Sequence, residues 1–191
     1  MSLPDGSPAQ NIPLHLLTGT AYHPGSEMSP DAWREVVTQS VGVELDSLFD
    51  RHPVNTTTAE DGTNEVVLGV QLSTKLTPAH VTSKTDEAGN REAFMWLEPG
   101  AGLGTEMFRY TDGPNNTPQL EPYRIDPDTN ERVPRTASEH YDPNSAQEVG
   151  HWGNVWVRNL REAPSLNEKE LAMLRKGPTR LRRALGKLSF R

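Results

Sequence analysis

The chain has 191 residues and a formal charge of −7, from 26 Asp and Glu residues against 19 Lys and Arg residues. No apolar run approaches the roughly 20 residues that a membrane-spanning helix needs, and the absence of cysteine excludes disulfides, thiol catalysis and thiolate zinc sites. The N-terminus has no basic flank followed by a long apolar core, so no secretory signal is expected and we predict an intracellular or virion location.

The first segment, 1–28, is predicted to be an extended arm. It contains four prolines, each of which fixes φ and removes a backbone donor. Its apolar residues need burial, either on a neighbouring surface or as a short strand in this chain's own sheet. The prolines are Pro4, Pro8, Pro13 and Pro24, and the apolar residues are Ile12, Leu14, Leu16 and Leu17.

An amphipathic helix is predicted over 30–51. Ser29 is suited to cap its first turn, Pro30 fits the first helical position, and Pro53 ends it. Apolar residues recur at three- and four-residue steps. They are Trp33, Val37, Val41, Leu45 and Leu48.

The region 54–125 is predicted to be β structure, because β-branched and aromatic residues alternate with turn signals. A hairpin turn is expected at 126–131, and HWGNVWVRNL (151–160) is predicted to be the last strand from its two-residue alternation. The strand predictions are 64–74, 92–97, 107–110, 122–125, 132–133 and 151–160.

The C-terminus returns to helix. Ser165 and Glu168 match the capping-box pattern, and Leu171, Met173 and Leu174 supply an apolar face that Gly177-Pro178 ends. Thr179 is suited to cap a second short helix. The predicted fold is therefore α+β or mainly β. An N-terminal amphipathic helix packs on an antiparallel sheet, in a domain over 29–160 between the arm (1–28) and a basic helical tail (161–191).

Few motifs indicate chemistry. His140, Asp142, Glu148 and His151 offer nitrogen and oxygen ligands for a divalent metal, but their spacing matches no metalloenzyme motif. The alternative is a polar loop before the last strand, so we predict no metal and no cofactor.

Three further patterns have simpler structural explanations. The G-x-G-x-G segment at 100–104 is typical of a strand connection rather than a phosphate loop. The 126–131 turn lacks the Gly and Glu that a calcium loop needs at its sixth and twelfth positions. Trp156 near Arg158 and Arg161 could stack on bases, but a core role fits its size better.

The charge distribution is the most informative feature. Residues 175–191 hold seven basic and no acidic residues, so the preceding 174 residues carry a balance of −14. Such asymmetry suggests a tail that meets an anionic surface. The basic residues are Arg175, Lys176, Arg180, Arg182, Arg183, Lys187 and Arg191, and an apolar stripe is formed by Leu181, Leu185 and Leu188.

Several partners for this tail stay open: nucleic acid through its phosphates, an acidic protein surface including a second copy, or none, with a membrane surface also considered. Because a short isolated helix is marginal without burial, the leucine stripe favours protein docking. We therefore expect a non-catalytic assembly subunit of a multi-protein particle, such as a phage head, neck or tail component, forming homo- or hetero-oligomers. The alternatives are a nucleic-acid-binding accessory protein that uses the tail, and a metal-dependent hydrolase centred on 140–151.

Overall fold

The computed structural model describes residues 28–72, 75–98, 107–126 and 128–176. Within these ranges seven strands form one antiparallel sheet, in which each strand pairs with the next along the chain. The helices are α1 (Pro30–Arg51), α2 (Ala146–Glu162) and α3 (Glu168–Arg175). The strands are β1 (Thr57–Thr58), β2 (Asn64–Leu72), β3 (Lys75–Thr85), β4 (Arg91–Leu97), β5 (Met107–Gly113), β6 (Asn116–Ile125) and β7 (Arg132–Pro134). The predicted α+β fold, with an N-terminal helix packed on an antiparallel sheet, is confirmed.

Helix α1 begins and ends where its sequence signals predict. The Ser29 side chain accepts a hydrogen bond from the Ala32 amide at 3.3 Å, and Pro30 takes the first helical position. The helix ends at Arg51, before a short 3-10 helix that starts at Pro53. All five residues of the predicted apolar face are buried in the core.

The prediction of a last strand at 151–160 is wrong, because this segment lies inside helix α2. The alternation of Trp152, Asn154 and Trp156 imitates a strand only locally. The longer pattern is helical, since the buried positions recur at three- and four-residue steps. They are Val149, Gly150, Gly153, Asn154, Trp156, Val157 and Leu160.

Helices α1 and α2 pack against each other on one face of the sheet and share a single core with it. Trp156 is 2% exposed, which confirms its core role over base stacking. A buried carboxylate also links the helices: Glu44 of α1 accepts hydrogen bonds from Arg161 of α2, at 2.8 Å from Nε. The sheet contributes alternate residues to this core, among them Val66, Leu68, Val81, Met95, Phe108, Tyr110 and Leu120.

Two features of the sheet refine the prediction. Strand β3 was not predicted individually, because Pro78 interrupts its apolar pattern. Pro78 lies one position beyond the last pair between β3 and β4, Ala79 with Leu97, so its missing N–H falls where that ladder ends. The hairpin between β6 and β7 is confirmed, with Asn130 at φ 58° in its turn.

After α2 the chain returns to the sheet before forming α3. The Gly69 amide donates to the Pro164 carbonyl at 2.8 Å, and the Leu166 amide donates to the Val67 carbonyl at 2.6 Å. The capping box is formed by Asn167 and Glu170, two residues later than Ser165 and Glu168, because 164–166 is held extended against β2. The predicted arm, apart from Met28, and the predicted second short helix lie outside the described residues.

Candidate functional site

The face of the sheet opposite α1 and α2, called the outer face below, carries an ordered row of side chains. Paired residues of neighbouring antiparallel strands point to the same side of a sheet. Six strands thus contribute one residue each to a line that crosses β2 to β7. This line, called the apolar row below, consists of Val67, His80, Trp96, Met107, Tyr123 and Pro134.

Charged residues run beside the apolar row. A second line of side chains lies on the same face, two residues along each strand from the apolar row. It starts at Glu65 on β2 and ends at Glu121 on β6. Arg109 of β5 lies within it, with its Nε 2.7 Å from Glu92 Oε1 and a terminal nitrogen 3.7 Å from Glu121 Oε2. Carboxylates thus outnumber cations around Arg109.

His80 connects the apolar row to the charges. Its Nδ1 lies 2.7 Å from Glu65 Oε1 and its Nε2 lies 2.8 Å from Glu98 Oε1. Both nitrogens can donate hydrogen bonds only when the ring carries two protons. The ring also stacks on Trp96, with centroids 5.0 Å apart and planes 9° from parallel. This arrangement therefore suits an imidazolium held between two carboxylates.

Glu98 receives a second cation at the end of the described chain. Arg175 of α3 places a guanidinium nitrogen 2.5 Å from Glu98 Oε1. Burial works against ionisation of this carboxyl group, but the hydrogen bonds from Arg175 and His80 hold the pKa of Glu98 below its ordinary value. Glu98 is thus an ionised acceptor shared by the sheet and the C-terminal segment.

The centre of the outer face is aromatic. Phe94, Met107 and Tyr123 form a second buried cluster, against which the partly exposed Trp96 packs. The guanidinium of Arg132 lies over the rings of Phe94 and Trp96, 4.2 and 5.1 Å from their centroids. Arg132 thus covers part of the aromatic surface, and the partly exposed carboxylates of Glu65, Glu92 and Glu121 lie along one side of it.

The structure describes two residues of the segment 175–191, which holds the predicted basic set and is called the tail from here on. Arg175 is paired with Glu98 of its own chain, and Lys176 is exposed. The other residues of the predicted basic set and of the leucine stripe lie outside the described residues. In the described part of the tail, the first basic residue, Arg175, therefore forms an ion pair with Glu98 at the end of β4.

The predicted metal candidates do not form a ligand cluster. His140 and Asp142 lie in an exposed loop, where Asp142 accepts a hydrogen bond from the Asn144 amide at 2.9 Å. Glu148 and His151 lie on α2. In the described ranges no group of three or more His, Asp or Glu side chains is placed to hold a metal ion. The glycine-rich segment at 100–104 lies outside those ranges.

An open cleft of about 490 Å³ lies beside α1, lined by residues that include Asp46, Arg91 and Asp112. The Tyr110 hydroxyl donates to Asp112 at 2.9 Å, and Arg91 pairs with both carboxylates. Burial, assisted by Asp112, raises the pKa of Tyr110. Burial opposes the charge of Arg91, but its bonds to Asp112 and Asp46 raise its pKa. These paired charges join α1 to the sheet, so we assign the cleft a structural role.

Comparisons with family models, curated proteins and solved structures find no significant match. None of the helices in the described part of the chain has the length and apolar character to cross a bilayer.

Sequence reasoning did not find the outer-face residues as a group. None of the predicted sites includes His80, Glu65, Glu98 or Arg132. These residues are far apart in sequence and become neighbours only through the strand register. The usable signal was the odd-even alternation within each strand, which does not give the pairing between strands.

Proposed function

We propose that this protein is a non-catalytic assembly subunit of a multi-protein particle, such as a phage head, neck or tail component. In this proposal its basic C-terminal tail docks on acidic protein surfaces, including those of other copies. The observation that carries it is the ion pair of Arg175 with Glu98, in which the first tail cation meets a carboxylate of an acidic body. Complementary charge of this kind favours specific association.

Self-association through such charges depends on salt. Raising the ionic strength from about 0.1 M to about 1 M shortens the Debye length from about 10 to about 3 Å. The test measures solution mass by sedimentation at both salts for the full chain and for a variant ending at residue 176. We expect oligomers of the full chain at low salt, dissociation at high salt, and a monomeric shortened variant.

A charge-matched control separates tail docking from general electrostatics. Arg180→Glu with Arg182→Glu should abolish the oligomers, whereas the same change of charge at Arg124 and Arg158 on the body should leave them in place. A full chain that stays monomeric at both salts contradicts self-assembly through the tail.

The nucleic-acid alternative predicts a different result. A tail that binds phosphates would give DNA binding that weakens steeply with salt and disappears in the variant ending at residue 176. The −14 balance of the body opposes the approach of a polyanion. In the assembly proposal, duplex DNA therefore leaves the solution mass of the full chain unchanged at low salt.

A further inference from the structure

The last described residues bring the chain onto the outer face. Residues 164–166 bond to the backbone of β2, and Leu166 packs over Gly69, where its Cδ2 lies 3.1 Å from the position a Cβ would take. Helix α3 then contacts β3 and ends with Arg175 on Glu98. The described chain therefore ends near Glu98, which also bonds to His80 of the apolar row.

The apolar row matches the remaining chain in length. From β3 to β7 the row crosses four strand spacings, about 19 Å at roughly 4.8 Å each. The Gly177-Pro178 pair that follows α3 predicts a turn. The remaining 13 residues, 179–191, would extend about 20 Å as a helix.

The two surfaces also match in chemistry. The segment contains five basic residues and no acidic residue, and its leucines 181, 185 and 188 follow a helical i, i+4, i+7 spacing. Within the row, Met107 and Tyr123 are buried, and Trp96 and Val67 offer partly exposed apolar surface. The carboxylates of Glu65, Glu92 and Glu121 lie together on one side of the row, where they pair with His80 or Arg109 and stay partly exposed. Leucines over this surface would bring the tail cations on one side of the helix toward these carboxylates.

We infer that residues 177–191 dock across the outer face of their own chain, with the leucine stripe on the apolar row and the basic residues on its flanking glutamates. The occupant is the chain's own tail because the anchored end of α3 holds it at a high effective concentration beside the row. This inference goes beyond the assembly function and does not depend on it. In an assembled particle, the tail of one copy would then dock on the outer face of another copy.

The absence of cysteine permits a direct test on the full chain. Ser189→Cys carries one nitroxide spin label, and amide signals are recorded by NMR at a concentration where sedimentation shows a monomer. We expect loss of the Thr82, Trp96 and Tyr123 signals, while those of Val36 and Val41 on α1 persist. Replacing Arg180, Arg182 and Arg183 by glutamine should restore the lost signals, and the same replacement at Arg124 and Arg158 should not.

Two further measurements identify other occupants of the face. The first measurement mixes two kinds of chain: one carries the spin label but no ¹⁵N, and the other carries ¹⁵N but no spin label. Loss of the Trp96 signal in this mixture would show that the tail of a second copy occupies the face. If the tag leaves the face unaffected and deletion of residues 1–27 shifts the Trp96 signals, the N-terminal arm is the occupant. Either result, or no broadening on this face, overturns the inference. The sedimentation data decide the assembly proposal separately, because a monomer with a docked tail supports only the inference.

Discussion

At the residue scale, Glu98 joins the C-terminal segment to the sheet. It accepts hydrogen bonds from His80 on β3 and from Arg175 on α3, and its side chain is 17% exposed. Because the hydrogen bonds from Arg175 and His80 outweigh the cost of burial, the pKa of Glu98 in the folded chain lies below its ordinary value of 4.5. A carboxyl group of this kind stabilises the fold above its unfolded-state pKa, and this stabilisation is lost as pH falls through the folded-state value.

Glu98→Gln should therefore lower the free energy of unfolding near neutral pH, by roughly 1 kcal/mol, since Arg175 is half exposed and solvent screens its charge. The difference between wild type and variant should shrink as pH falls below the ordinary value of 4.5 and through the lower folded-state pKa, because wild-type Glu98 then becomes protonated. Urea unfolding at a series of pH values measures this difference.

Glu92→Gln is the matched control, because Glu92 also pairs with an arginine but its side chain is 48% exposed. We expect a smaller effect from it at every pH. A difference between wild type and Glu98→Gln that stays constant down to the lowest pH would contradict the role given to the Glu98 charge.

At the element scale, α2 shows what local sequence patterns do and do not predict. Helix α1 could be predicted because cap, proline and apolar spacing all agree. In α2 the tryptophans, valines and polar residues alternate over a short window, so the segment was predicted to be a strand. The helical spacing of its buried residues is recognisable only when the pattern is followed from Val149. The strands of the sheet were largely predictable, but the outer-face cluster was not, because register is a property of the pairing between strands.

The contact between α1 and α2 depends on two glycines one helical turn apart. A Cβ at Gly153 would lie 2.5 Å from Val37 Cγ1 and 2.7 Å from Leu120 Cδ2, and one at Gly150 would lie 2.5 Å from Trp33 Cδ1. Since carbon atoms pack at about 3.5 to 4.0 Å, α2 reaches this position only without side chains at these sites.

Gly153→Ala should therefore destabilise the protein although alanine favours helix. The helix preference contributes about 1 kcal/mol in favour of the variant, whereas overpacking in a close-packed core costs typically about 1 to 3 kcal/mol. We expect a net loss, measured as a lower urea midpoint with an unchanged m-value. Arg158→Ala, on the exposed side of the same helix, should change the midpoint little. A stabilised Gly153→Ala protein would show that the helices can separate without cost.

At the scale of the whole molecule, the tail and the body balance each other's charge. The complete chain carries −7, and removal of the five basic residues in 177–191 takes the formal charge to −12. A larger net charge destabilises a compact chain through self-repulsion, and salt screens that repulsion. Salt also screens attraction between the tail cations and the carboxylates, which acts in the opposite direction.

The two forms should consequently respond to salt with different signs. The variant ending at residue 176 should melt at a higher temperature as sodium chloride rises, because its carboxylates repel one another less. The full chain should show no increase or a decrease, because the same salt weakens its tail contacts. A full-length variant with glutamine at Arg180, Arg182, Arg183, Lys187 and Arg191 also has a charge of −12 and should follow the shortened chain. Parallel melting curves for all three forms would show that the tail charges make no contact that contributes to stability.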